Sequence, residues 1–216
     1  MEDQGLSIQD TSYDPRDYVE GKGFGIRALS WIIDMVVLYI GNSVVGFIAG
    51  FVLGLTLFMV GLEFNIREDS LQCLNILAGI IQTVVYTTLF EWLYGATLGK
   101  LALGMRVVKE DGAPCDSRAA FIRAIYRYID GLILGLPAYL SMKLPLHQRL
   151  GDKSAKTIVV GSKDPIIKES REWGMIFVAG ILYLAFAGLV TILILVAVLS
   201  VEGTMDNEGF QAFIDP

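Results

Sequence analysis

The chain has 216 residues, 54% of them hydrophobic, with a mean hydropathy of +0.56 and a formal net charge of −6. Its apolar residues come in blocks, which excludes an ordinary soluble domain, and its acidic balance gives no reason to expect a nucleic acid partner. From Ala28 to Leu62 the only charged residue is Asp34, and there is none from Leu71 to Phe90 or from Gly174 to Val201. Each stretch reaches the roughly 20 residues that cross a hydrocarbon core of about 30 Å.

Residues 1–22 form an acidic tail without the basic start and short apolar core of a cleavable signal, so the first span is expected to be its own insertion signal. That span, about 28–62, would measure about 52 Å as helix, longer than the hydrocarbon, so tilt or extension must absorb the excess. Arg27 and Asp34 lie seven residues apart on one helix face at its start. Asp34 would lie about 9 Å deep, where a carboxylate should face protein and find a cation. Arg123, Arg127 and Lys100 are better placed for this than Arg27. Two readings follow: an ion pair that docks the cap onto the first span, or a carboxylate that binds a proton or cation. Gly46, Gly50 and Gly54 repeat every four residues, a small-residue groove for another helix, with packing inside the chain as the expected use.

The second span, about 71–94, carries Asn75 and Gln82 on one face and ends at Glu91, which is expected to pair with Lys100 or be solvated. Two short β-branched strands, about 104–109 and 156–161, should pair as a small element. Between them, "RAAFIRAIYRYIDGLILGLPAYLSMK" holds a charge-free part of 12 residues, Gly131 to Met142, about 18 Å as helix and too short to span. At about 100° per residue, Arg123, Arg127 and Asp130 share one side. An amphipathic interfacial helix over about 118–136, stopping before Pro137, is expected, with a fourth span as the alternative. The third span lies within 163–201 and reads as an anchor; an acidic tail fills 202–216. The fold class is therefore all-α and membrane-embedded, with three transmembrane helices, one interfacial helix and a two-stranded β element.

Of 17 Lys and Arg, 13 lie between Gly95 and Glu172, three precede Ala28 and one, Arg67, follows the first span. Basic loops stay cytoplasmic, so the N-terminus and the 95–172 block are expected inside the plasma membrane and the C-terminus outside. His147 stands without a second His or Cys, and Cys73 and Cys115 are spaced for neither a metal nor a disulfide. No nucleophile with its base, phosphate loop or cofactor fingerprint is present, so no enzymatic activity, metal or cofactor is expected.

Several segments together resemble the RDD family, named for one arginine and two aspartates. "GFGIRALSWIID" supplies Arg27 and Asp34. "TLGK", Gly104, Arg106 to Val108 and Asp111-Gly112 match its second block, and Asp152, Lys153, Thr157, Val159 and Val160 its third. The match covers about residues 18 to 161, leaving the third span outside. Relatives commonly place a histidine before the second aspartate, where this chain has Gly151. The resemblance implies a membrane protein tied to transport of a cation or small solute, with proton coupling in some members, or to accessory and assembly roles in larger complexes. A homo-oligomer or such a complex is the expected partner besides the bilayer. The topology has a direct check: a cysteine placed at Asp206 should react with an impermeant reagent only from outside the cell.

Overall fold

The computed structural model describes residues 19–60, 68–143, 146–169 and 171–214. Most of the acidic N-terminal tail and the loop bearing Arg67 fall outside them. Three helices are long and apolar enough to cross a membrane, with spanning segments Phe24–Thr56, Leu74–Leu93 and Gly174–Ala197. They belong to α1 (Phe24–Val60), α2 (Glu68–Leu93) and, as named below, to the last helix of the chain. Between the second and third spans lies a cap of four short helices and two strands. These are α3 (Leu98–Ala102), β1 (Met105–Lys109), α4 (Ser117–Asp130), α5 (Leu132–Ser141), α6 (Leu150–Ser154) and β2 (Thr157–Gly161). The last helix, α7 (Gly174–Ile214), carries the third span and continues as helix through most of the expected tail.

The spans pack through α2 against α7. Tyr86, Phe90 and Leu93 meet Ala179, Tyr183, Ala187 and Leu38 in a buried cluster. Alanines on α7 let the helices approach closely enough for Tyr86 and Tyr183 to stand edge to face at 5.4 Å. Most of α1 is bare: Phe47, Phe51 and Phe58 are exposed, as suits residues that face lipid tails. Among the described residues, nothing lies within 4 Å of a Cβ built at Gly46, Gly50 or Gly54. The expected close packing of these glycines on another helix of the chain is not seen at Gly50 and Gly54 among the described residues, while Gly46 borders a cavity shared with α2 and α7.

β1 and β2 pair antiparallel, with Val107 opposite Val159 and Lys109 opposite Thr157. One face of this ribbon packs on α4 through Met105, Val107, Val159, Ala119 and Ala120; the other covers Val19 and Ile166. With both faces buried, the strands do not alternate: every residue from Met105 to Val108 and from Thr157 to Val160 is buried, Arg106 included. Both outer edges are occupied as well: the Val107 amide donates to the Gly95 carbonyl at 2.7 Å, and the Lys22 amide to the Val159 carbonyl at 2.8 Å. An exposed strand edge would otherwise invite pairing with another chain.

The interfacial helix differs from expectation in two ways. It is two helices, broken at Gly131, and the second runs through Pro137 to Ser141. Gly135 adopts φ +84°, a conformation open to glycine, two residues before the proline inside this helix. The second difference is the span on which it docks; the inward turn of its charges is the one that pairing with Asp34 requires. α4 buries Ala119, Ala120, Arg123, Ala124 and Asp130, while Phe121, Ile125, Tyr128 and Ile129 are exposed. It lies mainly on α2 rather than on the first span. The charged stripe faces the protein and the apolar stripe faces outward, the arrangement a lipid surface favours.

α3 is the element that leans on α1. A Cβ at Gly99 would fall 2.2 Å from the Ser30 carbonyl oxygen and 2.9 Å from Asp34 Oδ1. Gly99→Ala should therefore force α3 off α1, at about 1–3 kcal/mol, read as a lower unfolding temperature of the detergent-solubilised protein.

Candidate functional site

Three polar assemblies sit on or between the spans. The first is a chain of ion pairs on the cap side. Asp152, on α6, accepts from Arg27 of α1 through one oxygen and from Arg123 of α4 through the other. Arg123 also donates to Glu91 of α2 through Nε at 2.8 Å and to the Thr157 hydroxyl of β2 at 2.8 Å. Lys100 of α3 completes the line by donating to Glu91. Arg27 further holds the His147 carbonyl at 3.0 Å. The side chains of Arg27, Glu91, Arg123 and Asp152 are all nearly inaccessible.

Burial favours neutral forms, but here it is outweighed where charges alternate. Burial works against the Asp152 carboxylate, yet Arg123 and Arg27 hold its pKa below the ordinary range. Burial likewise disfavours the Arg123 cation, and Asp152 and Glu91 overcome it to raise its pKa. Lys100 goes the other way: desolvation lowers it to about 8, despite the nearby Glu91 carboxylate. Asp130 is raised, chiefly by burial. These groups surround a chamber of about 30 Å³ lined by Arg27, Glu91, Lys100, Arg123, Arg127, Asp130, Arg149 and Asp152. That is space for about one or two water-sized groups.

The second assembly centres on Asp34, which is fully buried. Its Oδ1 accepts from the Tyr86 hydroxyl at 2.9 Å and the Gly99 amide at 2.8 Å; its Oδ2 accepts from the Thr97 hydroxyl at 2.7 Å and Arg127 Nη2 at 3.4 Å. Tyr86 in turn accepts from the Leu98 amide at 3.1 Å, so the first turn of α3 is bonded to α1 and α2 together. A carboxylate ringed by donors in this way has no lone pair directed at open space. Of the three expected partners only Arg127 reaches Asp34; Arg123 and Lys100 are bound to Glu91, and Arg27 goes to Asp152.

The third assembly lies deeper, between α1, α2 and α7. A cavity of about 330 Å³ is lined by Asn42, Gly46, Asn75, Ala78, Gly79, Gln82 and Thr191, with Ile194 and Leu195. The Tyr183 hydroxyl donates to Asn42 Oδ1 at 2.8 Å at its margin. Gly46 of the glycine groove belongs to this wall, while Gly50 and Gly54 do not. The third helix is therefore more than an anchor: Tyr183 and Thr191 bring polar groups to the face that meets α1 and α2.

Sequence reasoning did not assign Tyr86, Thr97 or Arg149 to any site. Thr97 could have been found within "TLGK", since it caps α3 by accepting from the Lys100 amide at 3.4 Å while its hydroxyl serves Asp34. Gly151 is explained by contact, for a Cβ there would lie 2.8 Å from the Tyr126 Cβ. Cys115 is a free, buried thiol whose pKa burial pushes up to about 12.

The sequence model of the RDD family matches residues 22–196. That reach takes in the third span, which the motifs alone left outside. No curated protein and no solved structure matches the chain.

Removing one partner of a buried pair strands the other, at about 3–5 kcal/mol. Asp152→Asn should lose stability on that scale, and Asp34→Asn similarly, since an amide nitrogen would face donors; melting temperature in detergent measures both. The folded pKa of Asp152 is depressed, so its contribution is complete above about pH 4 and fades as pH falls through the folded value. Wild-type stability should drop in acid by more than that of Asp152→Asn.

Proposed function

Because the chain belongs to the RDD family of membrane proteins, we propose that it works in membrane transport, taking a small polar solute or a cation into the chamber between α1, α2 and α7. The observation that carries this reading is the chamber's lining, with Asn42, Asn75, Gln82 and Thr191 gathered in an otherwise apolar membrane region. Polar groups inside spans are expensive and tend to mark pathways. Carboxamides supply both donors and carbonyl acceptors, so they suit a neutral solute or a cation bound through carbonyl oxygens. In this reading the Asp34 and Asp152 assemblies brace the spans and do not carry the cargo. Three spans are few to enclose a pathway, so the working unit is an oligomer in the plasma membrane, with the basic cap in the cytoplasm. No enzymatic step is part of the proposal.

A second reading, an accessory subunit of a larger complex, draws on the uncovered Gly50 and Gly54 surface, which admits close approach of a foreign helix. Reconstitution separates the two. Proteoliposomes carrying the protein are expected to re-swell faster in glycerol or urea than empty ones, or to move protons against a sodium or potassium gradient. Gln82→Leu should return the active signal to the empty-liposome rate. Equal signals from wild type and Gln82→Leu would end the transport reading, and a stoichiometric partner in gentle detergent with no flux would favour the other.

A further inference from the structure

Another opening lies on the membrane-facing side of the cap. Between the start of α1 and the α4–α5 pair runs a crevice of about 270 Å³ walled by Phe24, Ala28, Trp31, Ile32 and Ala138. Trp31 and Ile32 are exposed, as is Val36 one turn further along α1, so the apolar wall continues onto the lipid-facing helix surface. The other end of the crevice is closed by Arg127, Asp130 and Arg149.

Each of these three residues keeps one buried polar atom without a partner: Arg127 Nη1 and Arg149 Nε are donors, Asp130 Oδ1 an acceptor. The remaining capacity is in use where it could compete. Arg127 Nη2 serves Asp34, and the Arg149 cation with the Gly151 and Leu150 amides already favours the Asp130 carboxylate. A buried polar group left unpaired costs about 1–3 kcal/mol. The same three residues also line the small cap-side chamber, so two cationic side chains and one anionic side chain stand between it and the apolar crevice, and match a ligand that carries both an anion and a hydrogen-bearing cation on an apolar body.

We infer that this crevice binds an amino-headed phospholipid. Its phosphate lies against Arg127 and Arg149, its primary ammonium against Asp130, and an acyl chain along Ile32 and Val36. Basic pockets at the level of the headgroups are the usual place for such recognition. A lipid with an anionic head and no ammonium would leave Asp130 Oδ1 without a donor. A choline head has no N–H to give Asp130 Oδ1. A phosphoethanolamine head satisfies all three residues, and the crevice wall supplies the apolar contact that a free headgroup would not use.

The test uses the full chain, delipidated in detergent and titrated with phosphatidylethanolamine, phosphatidylcholine and phosphatidylglycerol of identical acyl chains, with binding read by native mass spectrometry. Soluble phosphoethanolamine is run alongside. Phosphatidylethanolamine should bind about tenfold more tightly than either other lipid, the value of one charge-assisted hydrogen bond. Asp130→Asn should bring it down to the phosphatidylcholine level, and Ala28→Phe, which fills the crevice and touches none of the charged groups, should weaken all three. If Asp130→Asn does not fold, the wild-type ranking and Ala28→Phe decide. Phosphatidylglycerol binding as tightly as phosphatidylethanolamine, three equal affinities, binding unchanged in Ala28→Phe, or soluble phosphoethanolamine saturating at the same concentration would each overturn the inference.

Discussion

The double contact of Asp152 is the constraint on which the cap depends. One carboxylate faces Arg27 at the start of the first span and Arg123 on the inward side of α4. Through Arg123 the same line of charge reaches Glu91 at the end of the second span and Lys100 on α3. Five elements, α1, α2, α3, α4 and α6, are thereby fixed to one another at the level where the chain leaves the bilayer. Alternating signs make this tolerable: each buried charge lies beside an opposite one, and the residual valences go to Thr157 and the His147 carbonyl. Buried ion pairs contribute little net stability compared with apolar packing but strongly disfavour alternative arrangements in which a charge stands alone. The network thus acts more as a specifier of geometry than as a source of stability.

Asp34 works by different chemistry a short way along α1. Three of its four bonds come from neutral donors, and two of the elements supplying them, α2 and α3, do not otherwise meet α1 through charge. The glycine at position 99 follows from this, since the amide can reach the carboxylate only where no side chain intervenes. Asp34 and Asp152 therefore share a signature but not a role: one collects donors at a three-helix junction, the other balances two guanidinium groups.

Much of the architecture was legible because it depends on length and composition. Three apolar stretches, with Asp34 their only charged residue, and two β-branched runs identify the spans and the ribbon without reference to tertiary structure. Pairings were less legible. Arg27 and Asp34 share a helix face, which suggests a local relationship, yet Arg27 turns to a residue 125 positions away. Periodicity shows that α4 is two-faced but does not say which face turns inward, and next to lipid the usual rule of charge outward is reversed. Thr191 and Tyr183 are too few to register as a polar stripe on α7. They matter only because Asn42, Asn75 and Gln82 meet them across the helix interface.

The separation of Arg27 from Asp152 has a consequence for biosynthesis. When α1 and α2 first enter the bilayer, the chain segment that holds Arg123 and Asp152 has yet to be made. Arg27 must then wait at the membrane surface, met by water or headgroups, until more than half the chain has followed it, while Asp34 and Glu91 find their partners sooner. Closing so long a loop is slow compared with forming a helix. The early intermediate is a pair of inserted helices with exposed charges at one rim, the species that quality control in the membrane would meet first.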